Sequence, residues 1–199
     1  RLEVKKTYKL YINGAFPRSE SGRVYEVLTS KGASVANPSL ASRKDLRDAV
    51  VAARAAQSGW AKATAYNRGQ ILYRIAEMLE GRTDQLVTEI SLATGVSTKK
   101  AHDEVLAAID RWVWYAGWSD KLSAAFGATN PVSGPYYNFT IPEAQGVIAV
   151  APAESFLAFI DAIAPAIVSG NTVVAIVPGS AAIAAMSFAE VLATSDLPA

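Results

Sequence analysis

The feature that most constrains the fold is a long C-terminal stretch without a single basic residue. After Lys121 the chain contains no lysine or arginine, although it continues to residue 199. Residues 1–100 contain 17 basic and 9 acidic side chains, whereas residues 101–199 contain 2 and 9. Because a solvated surface normally carries scattered charges of both signs, we expect this stretch to be buried on several sides, either in the chain's own core or under a partner.

Within this stretch the pattern alternates between short apolar runs and apolar helices. The predicted elements are, in chain order, a strand at 146–150, a helix at 156–169, a strand at 172–177 and a helix at 181–193. Runs that are apolar on both faces are typical of parallel strands covered by helices, so the pattern predicts the start of a parallel β-α-β sheet. Pro165 lies inside the first helical pattern and predicts a kink or a break there.

The preceding residues predict an N-terminal β-hairpin arm and four helices. Aromatic and β-branched residues between 8 and 28 surround the pair Asn13-Gly14, which favours a hairpin. Apolar residues at helical spacing predict helices that begin near Ser42, Asn67, Thr83 and Ser97. Residues 123–135 predict a loop, and residues 136–141 predict an exposed or edge strand. We therefore divide the chain into a helical part, 1–135, and a sheet part, 136–199.

The composition excludes several classes of function. The chain has no cysteine and one histidine, His102, so we predict no disulfide, no cysteine nucleophile within these residues and no metal site. A net charge of +1 does not favour nucleic acid or an anionic membrane, and no apolar run is long enough to cross a bilayer. No apolar leader follows Arg1, so we predict a cytoplasmic protein.

The predicted sheet also indicates where a ligand would bind. Open α/β sheets bind ligands beyond the carboxyl ends of their strands. In this chain those ends are followed by residues 151–155 and 177–180, which are therefore the candidate site. Neither G-x-G-x-x-G nor G-x-x-x-x-G-K-[ST] occurs, so no common phosphate-binding loop marks this edge.

Several motifs resemble the N-terminal portion of the aldehyde dehydrogenase superfamily. L-Y-I-N-G at 10–14 is similar to the family's opening strand, and A-V-V-A-A-R-A-A at 49–56 is similar to its first helix. A-P-A at 164–166 with G-N-T-V-V at 170–174 is close to the family's A-P-A-L-A-x-G-N-T-V-V. These motifs occur in the family's order over almost the whole chain. The resemblance implies an α/β fold with an N-terminal arm, helices and the first β-α-β unit of a Rossmann-type sheet.

The resemblance also implies oxidation of an aldehyde with NAD or NADP. In the family a cysteine thiolate attacks the carbonyl, an asparagine amide helps to hold the oxyanion, and a glutamate activates water. The cysteine and the glutamate lie downstream of the segment matched here. We therefore expect an N-terminal segment that is inactive alone and that associates with further copies or with a partner chain.

Two positions differ from the family pattern. Alignment on Phe156 puts Ser155 at the oxyanion asparagine and Glu154 at the family's tryptophan, whereas alignment on Ala164-Pro165 puts Ala153 at the asparagine. The family's lysine, which bonds the adenosine ribose, is replaced by Ile176 or, with a slip of one residue, by Val177.

Two functions remain open from the sequence. One is an aldehyde oxidoreductase that uses NAD or NADP, and the other is a non-catalytic member of the fold that serves assembly or regulation. By resemblance, Ser155 is the candidate catalytic residue. The candidate cofactor-binding residues are Ala151, Pro152, Ala153, Ile176 and Val177.

Overall fold

A computed structural model describes residues 6–29 and 31–198, and this part of the chain contains seven α-helices and three two-stranded sheets. The helices are α1 (Arg43–Lys62), α2 (Ala65–Glu80), α3 (Thr83–Thr94), α4 (Thr98–Ala116), α5 (Leu122–Phe126), α6 (Phe156–Val168) and α7 (Ala182–Leu192). The strands are β1 (Val27–Leu28), β2 (Ser34–Ala36), β3 (Ala128–Asn130), β4 (Asn138–Thr140), β5 (Val147–Val150) and β6 (Thr172–Ala175).

The predicted β-α-β unit is present. Strands β5 and β6 are parallel neighbours, in a register that pairs Val147 with Thr172 and Val150 with Ala175, and α6 connects them. The side chain of Asn171 fixes the start of this pair, because its Oδ1 accepts the N–H of Gly146 at 2.8 Å. Helix α1 contacts the sheet as well, since Thr172 Oγ1 donates to the carbonyl of Ala53 at 3.0 Å.

The apolar C-terminal helices are buried in the chain's own core. Phe188 of α7 is fully buried at the centre of an aromatic cluster, with ring centroids 5.7 Å from Trp112, 5.9 Å from Phe156 and 6.0 Å from Phe159. Offset and edge-to-face aromatic pairs add to the stabilisation from burial. The cluster joins α4, α6 and α7, so residues from both predicted parts of the chain share one core.

The N-terminal arm differs from the expected hairpin. Asn13 and Gly14 do form a tight turn with positive φ values of 55° and 68°, and Ile12 bridges Ala15. One further hydrogen bond follows, from the N–H of Leu10 to the carbonyl of Pro17. The ribbon ends at this pair, because Pro17 has no N–H with which to continue the ladder. The later apolar run, including β1, pairs instead with residues 34–39.

Two further expectations about secondary structure are wrong. Helix α6 runs through Pro165 without a break, because Pro165 lies in its last turn, where its missing N–H removes one hydrogen bond near the helix end. The expected loop at 123–135 contains α5 and β3, and β3 pairs antiparallel with β4. Asn130 supports this pairing by donating to Asn138 Oδ1 at 2.9 Å and to Thr140 Oγ1 at 3.0 Å across the hairpin.

None of the helices in the described residues has the length and apolar character that are needed to cross a membrane.

A buried carboxylate joins the arm to the first helix. Asp45 of α1 accepts hydrogen bonds from Ser19 Oγ at 2.7 Å, from the N–H of Glu20 at 3.1 Å and from the N–H of Ser42 at 2.8 Å. Ser42 in turn caps α1, which completes the capping box. Burial alone would raise the pKa of Asp45, but the hydrogen bonds from Ser42, Ser19 and Glu20 outweigh burial and hold this pKa below its ordinary value.

We predict that Asp45→Asn lowers the free energy of unfolding by about 1–2 kcal/mol at neutral pH, because the amide loses part of this acceptor set. The lowered pKa stabilises the fold above the pKa of the unfolded chain, and this contribution is lost as the pH falls through the folded value. Urea unfolding followed by tryptophan fluorescence at about pH 7 and about pH 3 measures both effects. Asp48→Asn, an exposed acid on the same helix, is the control; an equal loss for Asp45→Asn at both pH values would contradict the prediction.

Candidate functional site

The carboxyl ends of β5 and β6 bring the two candidate segments to one edge of the sheet. Val150 and Ala175 are register partners at the ends of these strands. Just beyond them, Ile176 donates its N–H to the carbonyl of Val150 at 2.9 Å. Residues 151–155 and 176–180 therefore leave the sheet side by side. This edge is where parallel α/β sheets bind ligands.

The segment after β5 is a short turn that leads directly into α6. Ala151 and Ala153 are exposed, and Pro152 is half-buried. The turn is closed by a hydrogen bond of 2.8 Å from the N–H of Ser155 to the carbonyl of Ala153. Two methyl groups and a proline ring provide surface to a ligand but no side-chain hydrogen bond.

Ser155 is the N-cap of α6. Its Oγ accepts the N–H of Ala158 at 2.9 Å, and the side chain is half-buried. Because the hydroxyl oxygen accepts this bond, its proton is still free. Ser155 can therefore donate one hydrogen bond to a ligand at the sheet edge. Its short side chain is already positioned by the helix that it caps.

The segment after β6 presents apolar side chains at the positions that the resemblance aligns with a ribose-binding lysine. Ile176 is 59% exposed, whereas Val177 is half-buried and packs against the main core. Neither side chain can hydrogen-bond a ribose hydroxyl. The chain then turns through Pro178 into a short 3₁₀ turn at Gly179–Ala181 that leads into α7.

The charges near this edge are acidic. Glu154 is exposed, and its Oε1 lies 3.4 Å from the point where a Cβ on Gly179 would be, so its carboxylate lies over the turn after β6. Glu104 of α4 lies at the start of α6, where its Oε1 accepts the N–H of Leu157 at 3.0 Å. The sequence has no basic residue after Lys121. The carboxylate of Glu154 would repel an oxyanion or a phosphate placed beside it.

Side chains from earlier helices hold the other end of α6. Trp60 Nε1 donates to the carbonyl of Ile167 at 2.8 Å, and Arg68 Nε donates to the carbonyl of Val168 at 3.1 Å. The last carbonyls of a helix have no partner within the helix, so these bonds satisfy them. The crossover helix is thereby fixed at both ends.

A second polar cluster lies away from this edge, under the N-terminal arm. Glu89 Oε1 accepts from Ser187 Oγ at 2.9 Å and from Tyr8 at 3.4 Å, and Lys6 pairs with Glu190 at 2.8 Å. Burial, followed by the charge of Glu89, raises the pKa of Tyr8 to about 12. The partners in this cluster are mostly one another, which is typical of groups that hold an arm in place.

Other sequence candidates do not join a site. His102 is exposed on α4. Among the residues that the structure describes, no three histidine, cysteine, aspartate or glutamate side chains are close enough to hold a metal ion. Sequence reasoning did not identify Glu104, because its partner Leu157 is 53 positions away and no local pattern connects them.

Comparisons with known proteins agree with the motifs. A family model described as the aldehyde dehydrogenase family matches residues 16–199. Retinal dehydrogenase 2 of Homo sapiens is 38% identical over 180 residues, which cover 87% of this chain and 34% of that relative. Cytosolic 10-formyltetrahydrofolate dehydrogenase of Xenopus tropicalis is 31% identical over 207 residues, which cover 99% of this chain and 23% of that relative.

The fold comparison gives the same result. The structure of PnpE in complex with nicotinamide adenine dinucleotide superposes with a TM-score of 0.88 at 26% identity, covering 96% of this chain and 39% of that one. The chain therefore spans about a third, or less, of the length of the curated relatives named above.

Proposed function

The chain belongs to the aldehyde dehydrogenase family, and from that premise we propose that the protein oxidises an aldehyde with NAD or NADP as the acceptor. In this proposal residues 6–198 contribute the helices and the first β-α-β unit of the cofactor domain. The observation that carries it is the parallel pair β5–β6, which brings residues 151–155 and 176–180 to the same edge. The NAD complex of PnpE supports the choice of cofactor, and a cytoplasmic location remains a prediction.

The residues at this edge do not fit the cofactor as the family's motif would. A ribose hydroxyl placed beside β6 would meet the exposed side chain of Ile176, and the only hydroxyl at the start of α6 is that of Ser155. Loss of one oxyanion donor costs about 10²–10³ in rate in enzymes of this type of chemistry. We therefore assign Ser155 a single weak donor role and propose no catalytic step through the cofactor at this edge.

The side chains at this edge favour a second candidate, a non-catalytic member of the fold that acts in assembly or regulation. Ile176 in place of a ribose-binding lysine, together with Glu154 and Glu104 near the start of α6, opposes both nucleotide and oxyanion binding. Such changes leave the core of the fold intact, because none of these three side chains is fully buried.

The exposed aromatic surface of the β3–β4 hairpin supports association with another chain. The β3–β4 hairpin exposes Tyr136 at 74%, Tyr137 at 76% and Phe139 at 53%. Tyr137 and Phe139 stack only on each other, with ring centroids 5.3 Å apart. Large apolar groups that are exposed together mark interaction surfaces, and a strand edge can pair with a second strand. We propose that a second copy, or a partner chain, covers this hairpin.

Aldehyde oxidation by the 199-residue chain alone is expected to be absent, because it contains no cysteine to form the thiohemiacetal. Ser155→Asn restores an amide donor but should not create activity, since the nucleophile is still missing. Absorbance of reduced nicotinamide with a mixture of aldehydes measures this, with a protein-free blank as control. Turnover above the blank by the unaltered chain would show that the assigned chemistry is wrong.

Cofactor binding should depend on position 176. We expect the unaltered chain to bind NAD with a Kd no tighter than about 1 mM, and Ile176→Lys to bind about tenfold more tightly because it adds a charged donor. Isothermal titration gives both constants. Ile141→Lys adds the same charge at an exposed position away from the ends of β5 and β6, and it should leave the Kd for NAD unchanged. A micromolar constant for the unaltered chain would contradict the prediction.

The 199-residue chain should not persist as a monomer, because the β3–β4 hairpin and the open edges of the β5–β6 pair leave apolar groups in water. Each 100 Å² of such surface costs about 2.5 kcal/mol. Light scattering should detect a dimer or a larger species. Phe139→Lys should shift it toward the monomer, whereas Val51→Lys, on an exposed face of α1, should not. A monodisperse monomer of the unaltered chain would refute this.

A further inference from the structure

The start of α6 is held by a side chain from another helix as well as by its own cap. The first N–H groups of a helix have no partner within the helix. In α6 the N–H of Ala158 is bound by Ser155, and the N–H of Leu157 is bound by Glu104 of α4 at 3.0 Å. A carboxylate at this position also interacts favourably with the positive end of the helix dipole.

Glu104 is well placed to transmit the position of α4 to the turn that follows β5. It lies beside Val105, and both Val105 and Ala108 on its own helix are fully buried, so α4 cannot shift without disturbing the core. Glu104 itself is half-buried, which makes its hydrogen bond stronger than that of an exposed acid. Leu157 is two residues from Ser155 and is separated from the segment 151–155 by Phe156 alone.

A second polar contact between α4 and α6 is weaker. Arg111 Nε pairs with Asp161 Oδ1 at 2.8 Å, but both side chains are about 40% exposed. Exposed ion pairs of this kind contribute little. Glu104 is therefore the polar group that can fix where α6 begins.

We propose that Glu104 is a positioning residue, which sets the conformation of residues 151–155 and of the Ser155 hydroxyl by holding the first turn of α6. The functional meaning of this role rests on the proposed function, because residues 151–155 are the turn assigned to the aldehyde and the cofactor. The contact of Glu104 with Leu157 does not itself involve either ligand. The role can therefore be tested without them, so its failure is distinguishable from failure of the proposed activity.

The test compares Glu104→Ala, Glu104→Gln and Glu104→Asp in the full ¹⁵N-labelled chain, with Asp103→Asn as the matched control. Asp103 is an exposed acid on the same helix and the neighbour of Glu104. Amide resonances and exchange rates of residues 151–158 are recorded, together with the thermal midpoint.

In Glu104→Ala, the amides of Leu157 and Ala158 should exchange about tenfold faster and the resonances of residues 151–155 should move, because a charge-assisted hydrogen bond is lost. In Glu104→Gln, whose amide oxygen can still accept, the resonances should stay near those of the unaltered chain. Asp103→Asn should leave all of these signals in place.

The proposal is overturned if Glu104→Ala lowers the thermal midpoint but moves the resonances of residues 151–155 no more than Asp103→Asn does. It is also overturned if Glu104→Gln, which keeps an acceptor, moves those resonances as far as Glu104→Ala does. If Glu104→Ala does not fold, Glu104→Asp decides. Its shorter side chain must either pull the turn toward α4 or lose the bond, so unchanged resonances at 151–155 would refute the positioning role.

Discussion

The structure depends on how the chain fixes α6, the crossover helix that connects the two parallel strands. Parallel strands cannot be joined by a tight turn, so the connecting segment must cross over one face of the sheet. In this chain the crossover helix is buried against α4 and α7 through Phe156, Phe159 and Phe188. Its ends are fixed by Glu104 at the start and by Trp60 and Arg68 at the finish. The position of every residue at the candidate site follows from this arrangement.

Both proposed functions depend on the same small region, the two turns that follow β5 and β6. The strands and the crossover helix keep the family's architecture, whereas the side chains at the turns are mostly small or apolar, with Glu154 as the charged one. Burial of the aromatic cluster constrains the architecture, and solvent-exposed turns are free to change without loss of stability. The family fold therefore persists around an edge that, by the alignment that the resemblance implies, differs from the family motif.

The sequence predicted most of the elements, and its failures have identifiable causes. Asn13-Gly14 predicted a turn correctly, but the pairing of the next apolar run was decided by Pro17, which ends the ribbon early. Pro165 predicted a kink or a break in α6, yet the helix continues to Val168, because a proline in the last turn removes one hydrogen bond while Phe159, Ile163 and Ile167 remain buried. Local patterns describe short-range preferences, and partners distant in the sequence can override them.

The sequence by itself determined the family, the parallel unit and the residues that stand at the carboxyl ends of its strands, because apolar runs and short motifs are local properties of the chain. Only the tertiary structure decided which side chains surround those ends. The contact between Glu104 and Leu157 and the burial of α7 around Phe188 join residues far apart in the sequence. Contacts of that kind arise from packing the completed helices against one another, and no periodicity within a single segment specifies them.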